Sequence, residues 1–462
     1  MNLKLLITKL YLSFLLIGLS LLAGWNKLSA QESDTLRYNQ YGVPVSRIPL
    51  WVELRGGILV FESADQTHRV WYDARVQFDG AVFAGEKYND IGNGVSIRRA
   101  RLAMKTLFQK QWYAEIDLDF ANSQLELKDA YLMYLPNDQW FVKAGNFKEA
   151  FSIESTTTSR YLTFIERPNV VSAFAPSRHL GMALGFRRGW FLGIAGLHFQ
   201  DIGGLEERTV SEDKNKDFGT DEGYSFTGKA VIMPFTGKSG YGLHFGAAAS
   251  YRTPTTDSEI TGGIRYSTRS LSSINRKRYL DTDVITHVHH YLLSGFEWAG
   301  YYKNFRFQGE YMMSDVSRKY NLGDEHFNGF YVMASCMLFG GNYRYNPAEG
   351  EFTQPGRGRT WGDIELAARY DFTDLNSRME SVMGGAGEGY TAGINFYVND
   401  NIKLMLNYAF LNHDRYANGK GKLNVGTDSQ GQLTANPRDV TEAEGEAGND
   451  FHMVSLRIEV DF

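Results

Sequence analysis

Apolar and polar residues alternate one by one along most of this chain. Val70, Tyr72, Ala74, Val76 and Phe78 alternate with Trp71, Asp73, Arg75, Gln77 and Asp79. Trp112, Ala114, Ile116, Leu118 and Phe120 interleave with Tyr113, Glu115, Asp117 and Asp119. The period returns in Ile364, Leu366, Ala368 and Tyr370, in Tyr390, Ala392, Ile394, Phe396 and Val398, and in Ile402, Leu404, Leu406, Tyr408 and Phe410. It closes the chain in Val454, Leu456, Ile458, Val460 and Phe462, set against Met453, Ser455, Arg457, Glu459 and Asp461. A two-residue period sends alternate side chains to opposite faces of a strand. A soluble sandwich would gather its inward faces into one apolar core. Here one face is charged in strand after strand, which suits a barrel with a lumen full of water. Segments of about ten residues also match a tilted membrane strand.

The connections alternate in length. Residues 109–111, 136–138, 187–189 and 399–401 make short turns, whereas roughly 148–179, 200–223, 252–284 and 413–450 make long loops. Turns at one end and loops at the other are the arrangement of an outer-membrane barrel. Every candidate strand together would give an odd number, and a single-chain bacterial barrel needs an even one. Residues 264–269 lie between two strands that must be antiparallel, so they are assigned to a loop. The prediction is all-β: a transmembrane antiparallel β-barrel of about sixteen strands. The long stretch 340–360 falls, by parity, on the side of the short turns.

The N-terminus is a separate object. Lys4 and Lys9, an apolar run over residues 10–23, and Leu28-Ser29-Ala30 form the three parts of a signal peptide. Residues 1–30 are expected to be removed, 31–65 to form a short periplasmic segment with a small strand at 58–61, and 66–462 to form the barrel. No later segment is long and apolar enough for a helical span. Mean hydropathy is −0.34, which is compatible with a barrel because lumen-facing polar residues dilute each strand. The chain has 48 Gly, 27 Tyr, 30 Phe and 8 Trp against 10 Pro and 1 Cys. Aromatics fit sheets, glycine fits turns, and the lone Cys336 excludes an internal disulfide. Tyr134 with Trp140, Trp190 with Phe191, and Trp298 with Tyr301 and Tyr302 suggest interfacial belts. The formal charge of −5 becomes about −8 once the three lysines of the signal peptide are removed. That balance argues against a nucleic-acid partner.

Candidate chemistry sits on the charged faces. In Ile97-Arg98-Arg99-Ala100-Arg101-Leu102, alternation sends Arg99, Arg101 and Lys105 to the lumen and Ala100, Leu102 and Met104 to lipid. Cations stacked on one wall can attract anions and hand them between sites. They can equally pair with Glu115, Asp117 and Asp119 on the next strand. His287, His289 and His290 lack the further ligands a metal site needs. No phosphate loop, zinc motif or Gly-x-Ser-x-Gly turn is present. Neither a cofactor nor an enzymatic activity is expected.

The run Ile97 to Met104, the segment Glu126-Leu127-Lys128-Asp129-Ala130-Tyr131, the segment Val142-Lys143-Ala144-Gly145-Asn146-Phe147-Lys148-Glu149-Ala150-Phe151-Ser152 and the loop from Ser159 to Gly181 resemble the phosphate-selective porin O and P family, as does Trp361 to Tyr370. The resemblance implies a sixteen-stranded trimeric porin whose third extracellular loop folds inward to narrow the pore. Residues 148–179 occupy that place. Phe151, Ile153, Leu162, Phe164 and Ile165 would face the wall, and the hydroxyls of 155–159 with Arg160, Arg167 and Arg178 could line the constriction. Guanidinium groups suit phosphate because their planar donors bind two oxygens together. Arg160 and Arg167 could instead pair with Glu154 or Glu166 and only shape the loop. The expected ion path comprises Arg99, Arg101, Lys105, Lys128, Lys143, Arg160, Arg167 and Arg178. The terminal aromatic Phe462 resembles the assembly signal of outer-membrane barrels, which implies the barrel assembly machinery as a partner. The leading function is passive diffusion of small anions, phosphate included, across the outer membrane. The lumen also carries Glu310, Glu365 and Asp371, so a general porin of mixed charge is the alternative. An outer-membrane hydrolase using His452 or His290, or a barrel closed by its loops, are further readings.

Overall fold

A computed structural model describes residues 37–462, apart from residues 47, 200, 203–220, 222, 236–239, 256–261, 379–381 and 444. The signal peptide expected over residues 1–30 lies outside the described residues. The chain divides into two units, 1–49 and 50–462. In the first, Arg37–Tyr38 pairs with Pro44–Val45. The Asn39 side chain caps the turn between them by accepting the N–H groups of Tyr41 and Val43.

The second unit is a closed antiparallel barrel of sixteen strands. They are β1 (His68–Ala84), β2 (Gly94–Phe108), β3 (Trp112–Asp119), β4 (Glu126–Tyr134), β5 (Trp140–Lys148), β6 (Arg178–Arg188), β7 (Phe191–His198) and β8 (Ser225–Ile232). There follow β9 (Tyr241–Arg252), β10 (Val288–Tyr302), β11 (Phe305–Arg318), β12 (Glu325–Met337), β13 (Asp363–Ser377), β14 (Val382–Tyr397), β15 (Ile402–His413) and β16 (Phe451–Asp461). Each pairs with its chain neighbour, and β16 closes on β1 from His452↔Ala84 to Asp461↔Arg75. Closure removes the sheet edges that would otherwise seek partners.

Alternation sorts the residues as expected. On β16, Val454, Leu456 and Ile458 are exposed on the outside, whereas Ser455, Arg457 and Glu459 are buried on the inside. On β1, Asp73, Arg75, Gln77 and Asp79 are buried in the same way. Residues 264–269 stay out of the wall: Ser267–Thr268 pairs with Leu280–Asp281 inside the β9–β10 connection. Aromatics pair along the wall. Trp140 meets Phe186 at 4.8 Å, and Phe339 meets Trp361 at 5.0 Å, at the turn end. Tyr370 and Tyr390 meet at 5.0 Å midway along β13 and β14.

Two irregularities shape the charged interior. A bulge at Gln77/Phe78 leaves Arg98 as an extra residue, because Gln77 faces Arg99 while Phe78 faces Ile97. A bulge inserts one unpaired residue and re-aims its side chain. The second irregularity is the connection 338–362, far longer than the other turns at its end. It carries a small hairpin, Tyr345–Asn346 with Glu351–Phe352. A further hairpin, Leu50–Arg55 with Ile58–Ser63, adds to β1 through Val60↔Trp71, Phe61↔Val70 and Glu62↔Arg69.

Candidate ion path

Residues 149–177, between β5 and β6, carry two short α-helices, α1 (Ile153–Thr156) and α2 (Asn169–Phe174), with a 3-10 turn at Ser159–Tyr161 between them. Ser152 caps α1 by accepting the Ser155 N–H at 3.0 Å. Apolar residues of this segment are buried against inward-facing wall residues. Phe151, Phe164, Val170, Val171 and Phe174 share a cluster with Leu293, Met312, Phe327 and Tyr331. Small wall residues make room for them: a Cβ on Gly295 would stand 3.2 Å from Phe151, and one on Gly393 3.2 Å from Phe164.

The backbone of the segment is held by charges from the wall. Glu297 on β10 accepts the Ile153 N–H at 2.7 Å, and Glu310 on β11 accepts the Glu154 N–H at 3.0 Å. Asp371 on β13 accepts the Asn169 N–H at 3.3 Å. Carboxylates suit the N-terminal end of a helix, where N–H groups lack partners. Wall cations take the carbonyls: Lys403 Nζ donates to Arg160 O at 2.6 Å, and Arg369 Nη1 donates to Glu166 O at 2.9 Å. Buried backbone groups need such partners, and here the barrel supplies them with full charges.

Side chains of the segment complete the attachment. Arg160 pairs with Asp73 on β1. Glu166 accepts two bonds from Arg98, at 2.6 and 3.2 Å. Burial opposes the charge on Glu166, but Arg98, aided by Arg457 and Arg99, holds its carboxyl down at about 2. Glu149 is likewise held at about 2: burial opposes its charge, and His179 and Arg252 overcome it. Arg167 donates to the carbonyls of Glu154 at 2.8 Å and Thr157 at 2.7 Å. Burial brings its guanidinium down to about 10.

The eight cations expected from the sequence divide into two groups. Five have carboxylate partners. Arg101 pairs with Asp117 and Asp119, Lys105 with Asp73 and Glu115, and Lys128 with Glu126. Arg160 pairs with Asp73, and Arg178 with Asp129. Three have none among the described residues. Arg99 donates to the Gln77 amide at 2.6 Å, and Lys143 lies 4.1 Å over the Tyr131 ring. Arg167 has only the carbonyls. Lys148, absent from the expected set, joins them: its Nζ is held by Ser155 O. It stands next to Glu149 in a motif already singled out, so only its facing was missed. Arg98 was missed because strict alternation points it outward. Ile97 and Ala100 flanking two arginines is the signal of the parity slip.

The connection 338–362 reaches the same region. Tyr345 Oη meets His244 Nδ1 at 2.5 Å, and His244 Nε2 meets Glu297 Oε1 at 2.8 Å. The other oxygen of Glu297 is the one that holds Ile153. Ile153 itself is buried in a cluster with Tyr343 and Phe352 of the connection. The connection and the segment 149–177 thus share both a hydrogen-bond relay and an apolar contact. On the outer face, His452 engages Tyr408 at 2.8 Å, and His290 lies 3.0 Å from His289; neither meets a serine among the described residues.

The model of the family described as phosphate-selective porin O and P matches residues 70–434. The chain belongs to this family. As a barrel of that family, the porin is a bacterial outer-membrane protein. It is 27% identical over 368 residues to an uncharacterized protein of Caulobacter vibrioides, covering 76% of this chain and 70% of the relative. Among solved structures, the anion-selective porin from Comamonas acidovorans superposes with a TM-score of 0.50 at 13% identity, covering 86% of this porin and all of the other. A loop-deletion mutant of OmpT from Vibrio cholerae gives 0.51 at 7% identity, with the same 86% and 100% coverage. At such identities the likeness is one of fold.

Proposed function

We propose that this porin passes small anions, phosphate among them, by passive diffusion across the outer membrane. Residues 149–177 act as an inward-folded third loop that constricts the lumen. The observation that carries this reading is a group of inward-facing cations without a carboxylate partner among the described residues, with Arg99, Lys143, Lys148 and Arg167 among them. Arg99 is buried and the other three are half-buried; a cation drawn away from water without a counter-charge is costly, and a passing anion would relieve that cost. Arg167 and Lys148 both hold carbonyls of the loop, so they share one stretch of the path. Arg101 and Arg178, though paired, lie close enough to repel one another and add positive potential. The paired cations Lys105, Lys128 and Arg160 belong chiefly to the wall and the loop anchor. The anion selectivity of the Comamonas porin supports the class of solute, and the family's description supports phosphate. The sixteen-strand wall, like the family, fits a homotrimer, and the aromatic end of β16 fits delivery by the barrel assembly machinery. The chain would enter that route as an exported precursor cleaved near Gln31, with residues 31–65 as a short periplasmic segment.

The five carboxylate-paired cations favour a second reading, a general porin with a balanced lumen. Reversal potentials in planar bilayers under a KCl gradient separate the two. Anion selectivity requires a chloride preference that falls when Lys143, Lys148 and Arg167 are changed together to Gln. A cation preference in the unmodified protein overturns it. Adding phosphate to chloride in single-channel recordings then tests phosphate: transient block of the chloride current is expected.

A further inference from the structure

The connection 338–362 carries chemistry that the ion path above does not use. Its hairpin turns at Pro347-Ala348-Glu349-Gly350. Gly350 adopts a φ of +70°, which favours glycine, and a Cβ there would meet Leu192 of β7 at 3.0 Å. The tip is therefore seated against the inner wall. Tyr345 ties it to His244 on β9, and Arg306 of β11 lies 3.9 Å over the Phe352 ring. These contacts come from β7, β9 and β11, so the hairpin is held across a wide arc of the wall.

Two glutamates are carried on this seat. Glu351 is 6% exposed, yet its carboxylate has no hydrogen bond or ion pair among the described residues. Glu349 is exposed and also unpaired. Buried carboxylates ordinarily have partners. The charged groups acting on Glu351 are Glu349 of its own hairpin, Lys148 from β5, Lys229 from β8 and Arg167 from the loop. Glu349 in turn acts on Lys143 of β5 and Tyr113 of β3. Of these four cations, Lys143, Lys148 and Arg167 are the ones left without carboxylates, and Lys229 is engaged by Glu297 at 2.7 Å.

We propose that Glu349 and Glu351 are selectivity-determining residues, an acidic counter-element on the turn side that limits the anion preference created by Lys143, Lys148 and Arg167. This inference rests on the ion path proposed above. Unpaired charges of both signs within reach of one another's fields let a small anion bind without being trapped, since conduction needs binding weak enough to permit exit. Burial, with Glu349 adding to it, pushes the Glu351 carboxyl up to about 8, against the pull of Lys148, Lys229 and Arg167. Its charge is then present above that pH and absent below it. The counter-element weakens as pH falls, and the anion preference rises.

The test uses the full-length barrel in planar bilayers under a KCl gradient, with wild type, Glu349→Gln/Glu351→Gln and Glu351→Gln compared at pH 6 and pH 9. The double variant should raise the chloride-over-potassium permeability ratio about threefold or more at pH 9. Wild type should shift the same way on going from pH 9 to pH 6, and Glu351→Gln should lose most of that shift. A ratio that is unchanged in the double variant at pH 9 overturns the proposal. So does a wild-type pH shift that survives in Glu351→Gln. If a variant folds poorly, as seen by loss of heat-modifiable migration, Glu349→Gln alone decides, because its exposed carboxylate has no structural contact. A cation preference in wild type would sink the anion path, while the difference between wild type and variant would still decide this inference.

Discussion

Glu297 on β10 accepts the backbone N–H of Ile153 at 2.7 Å, and so joins the barrel wall to the first turn of the loop helix. The same carboxylate takes Lys229 Nζ at 2.7 Å and His244 Nε2 at 2.8 Å. One side chain thus joins a lysine and a histidine of two other strands to a loop more than a hundred residues away in sequence. Changing Glu297 to Ala should leave Lys229 buried without its partner and free the N-terminal end of α1. Loss of one member of a buried charged pair costs about 3–5 kcal/mol. The expected outcome is a larger and noisier single-channel conductance in bilayers, with a lowered unfolding temperature. Glu297→Gln, which can still accept the Ile153 N–H, should fall between the two.

Arg160 and Asp73 give a second prediction. Arg160 is a loop anchor if removing either partner has the same effect on conductance. Arg160→Ala, Asp73→Ala and the double variant should then show strong non-additivity, with a coupling on the order of 1–3 kcal/mol in unfolding free energy. If Arg160 instead contacts permeating ions, Arg160→Ala should change the reversal potential, and Asp73→Ala should shift it in the opposite sense.

The loop attachment should also respond to acid in a defined direction. Glu166 is held at about 2, below its ordinary value near 4.5. A depressed carboxylate contributes stability that is present above the unfolded value and lost as pH falls through the folded one. Conductance amplitude should therefore hold steady between pH 7 and about 4.5, and change only as pH approaches 2. In Glu166→Gln the acid-induced change should shrink. Titrating the single-channel amplitude of both proteins measures this.

Phe462 takes part in the seam itself. Its N–H donates to Ala74 O at 3.0 Å, and its carbonyl accepts the Ala74 N–H at 2.7 Å. The ring is 57% exposed on the outer side. Deleting Phe462 should lower the amount of folded, heat-modifiable barrel recovered from membranes. Channels that do form should conduct as before, because the ring is not in the lumen. Normal recovery after the deletion would count against an assembly role for this terminus.

Much of the fold was legible because a barrel wall is a repetition of one local rule. Alternation placed Arg457 and Glu459 inside and Val454 and Leu456 outside without reference to any other strand. Parity alone assigned 264–269 to a loop and 340–360 to the turn end. The facing of Arg101 and Lys105 could be read in the same way, but their partners could not, and Arg178, expected in the loop, is the first residue of β6. Whether Arg101 meets Asp117 or Asp119 depends on register, and whether Arg160 meets Asp73 depends on how a distant loop packs against the wall. Lys403 and Arg369 holding loop carbonyls leave no local trace at all, since a carbonyl carries no sequence. Arg98 was hidden by one extra residue in a bulge. Glu349 and Glu351 were hidden by a connection whose composition looks like any surface turn.

The seam has a consequence for the order in which the barrel can be completed. β1 outruns β16, and its remaining edge at Arg69, Val70 and Trp71 is covered by Val60, Phe61 and Glu62. That cover is supplied by the preceding few residues, so it is available as soon as β1 is made. The stretch from Arg75 to Ala84 has no such local guardian. Its hydrogen-bonding groups wait for the last residues of the chain, the longest-range contact in the wall and the slowest kind to form. Until then the sheet is open at both ends, on β1 and on the last strand added, which makes the interval between export and closure its most vulnerable to mispairing.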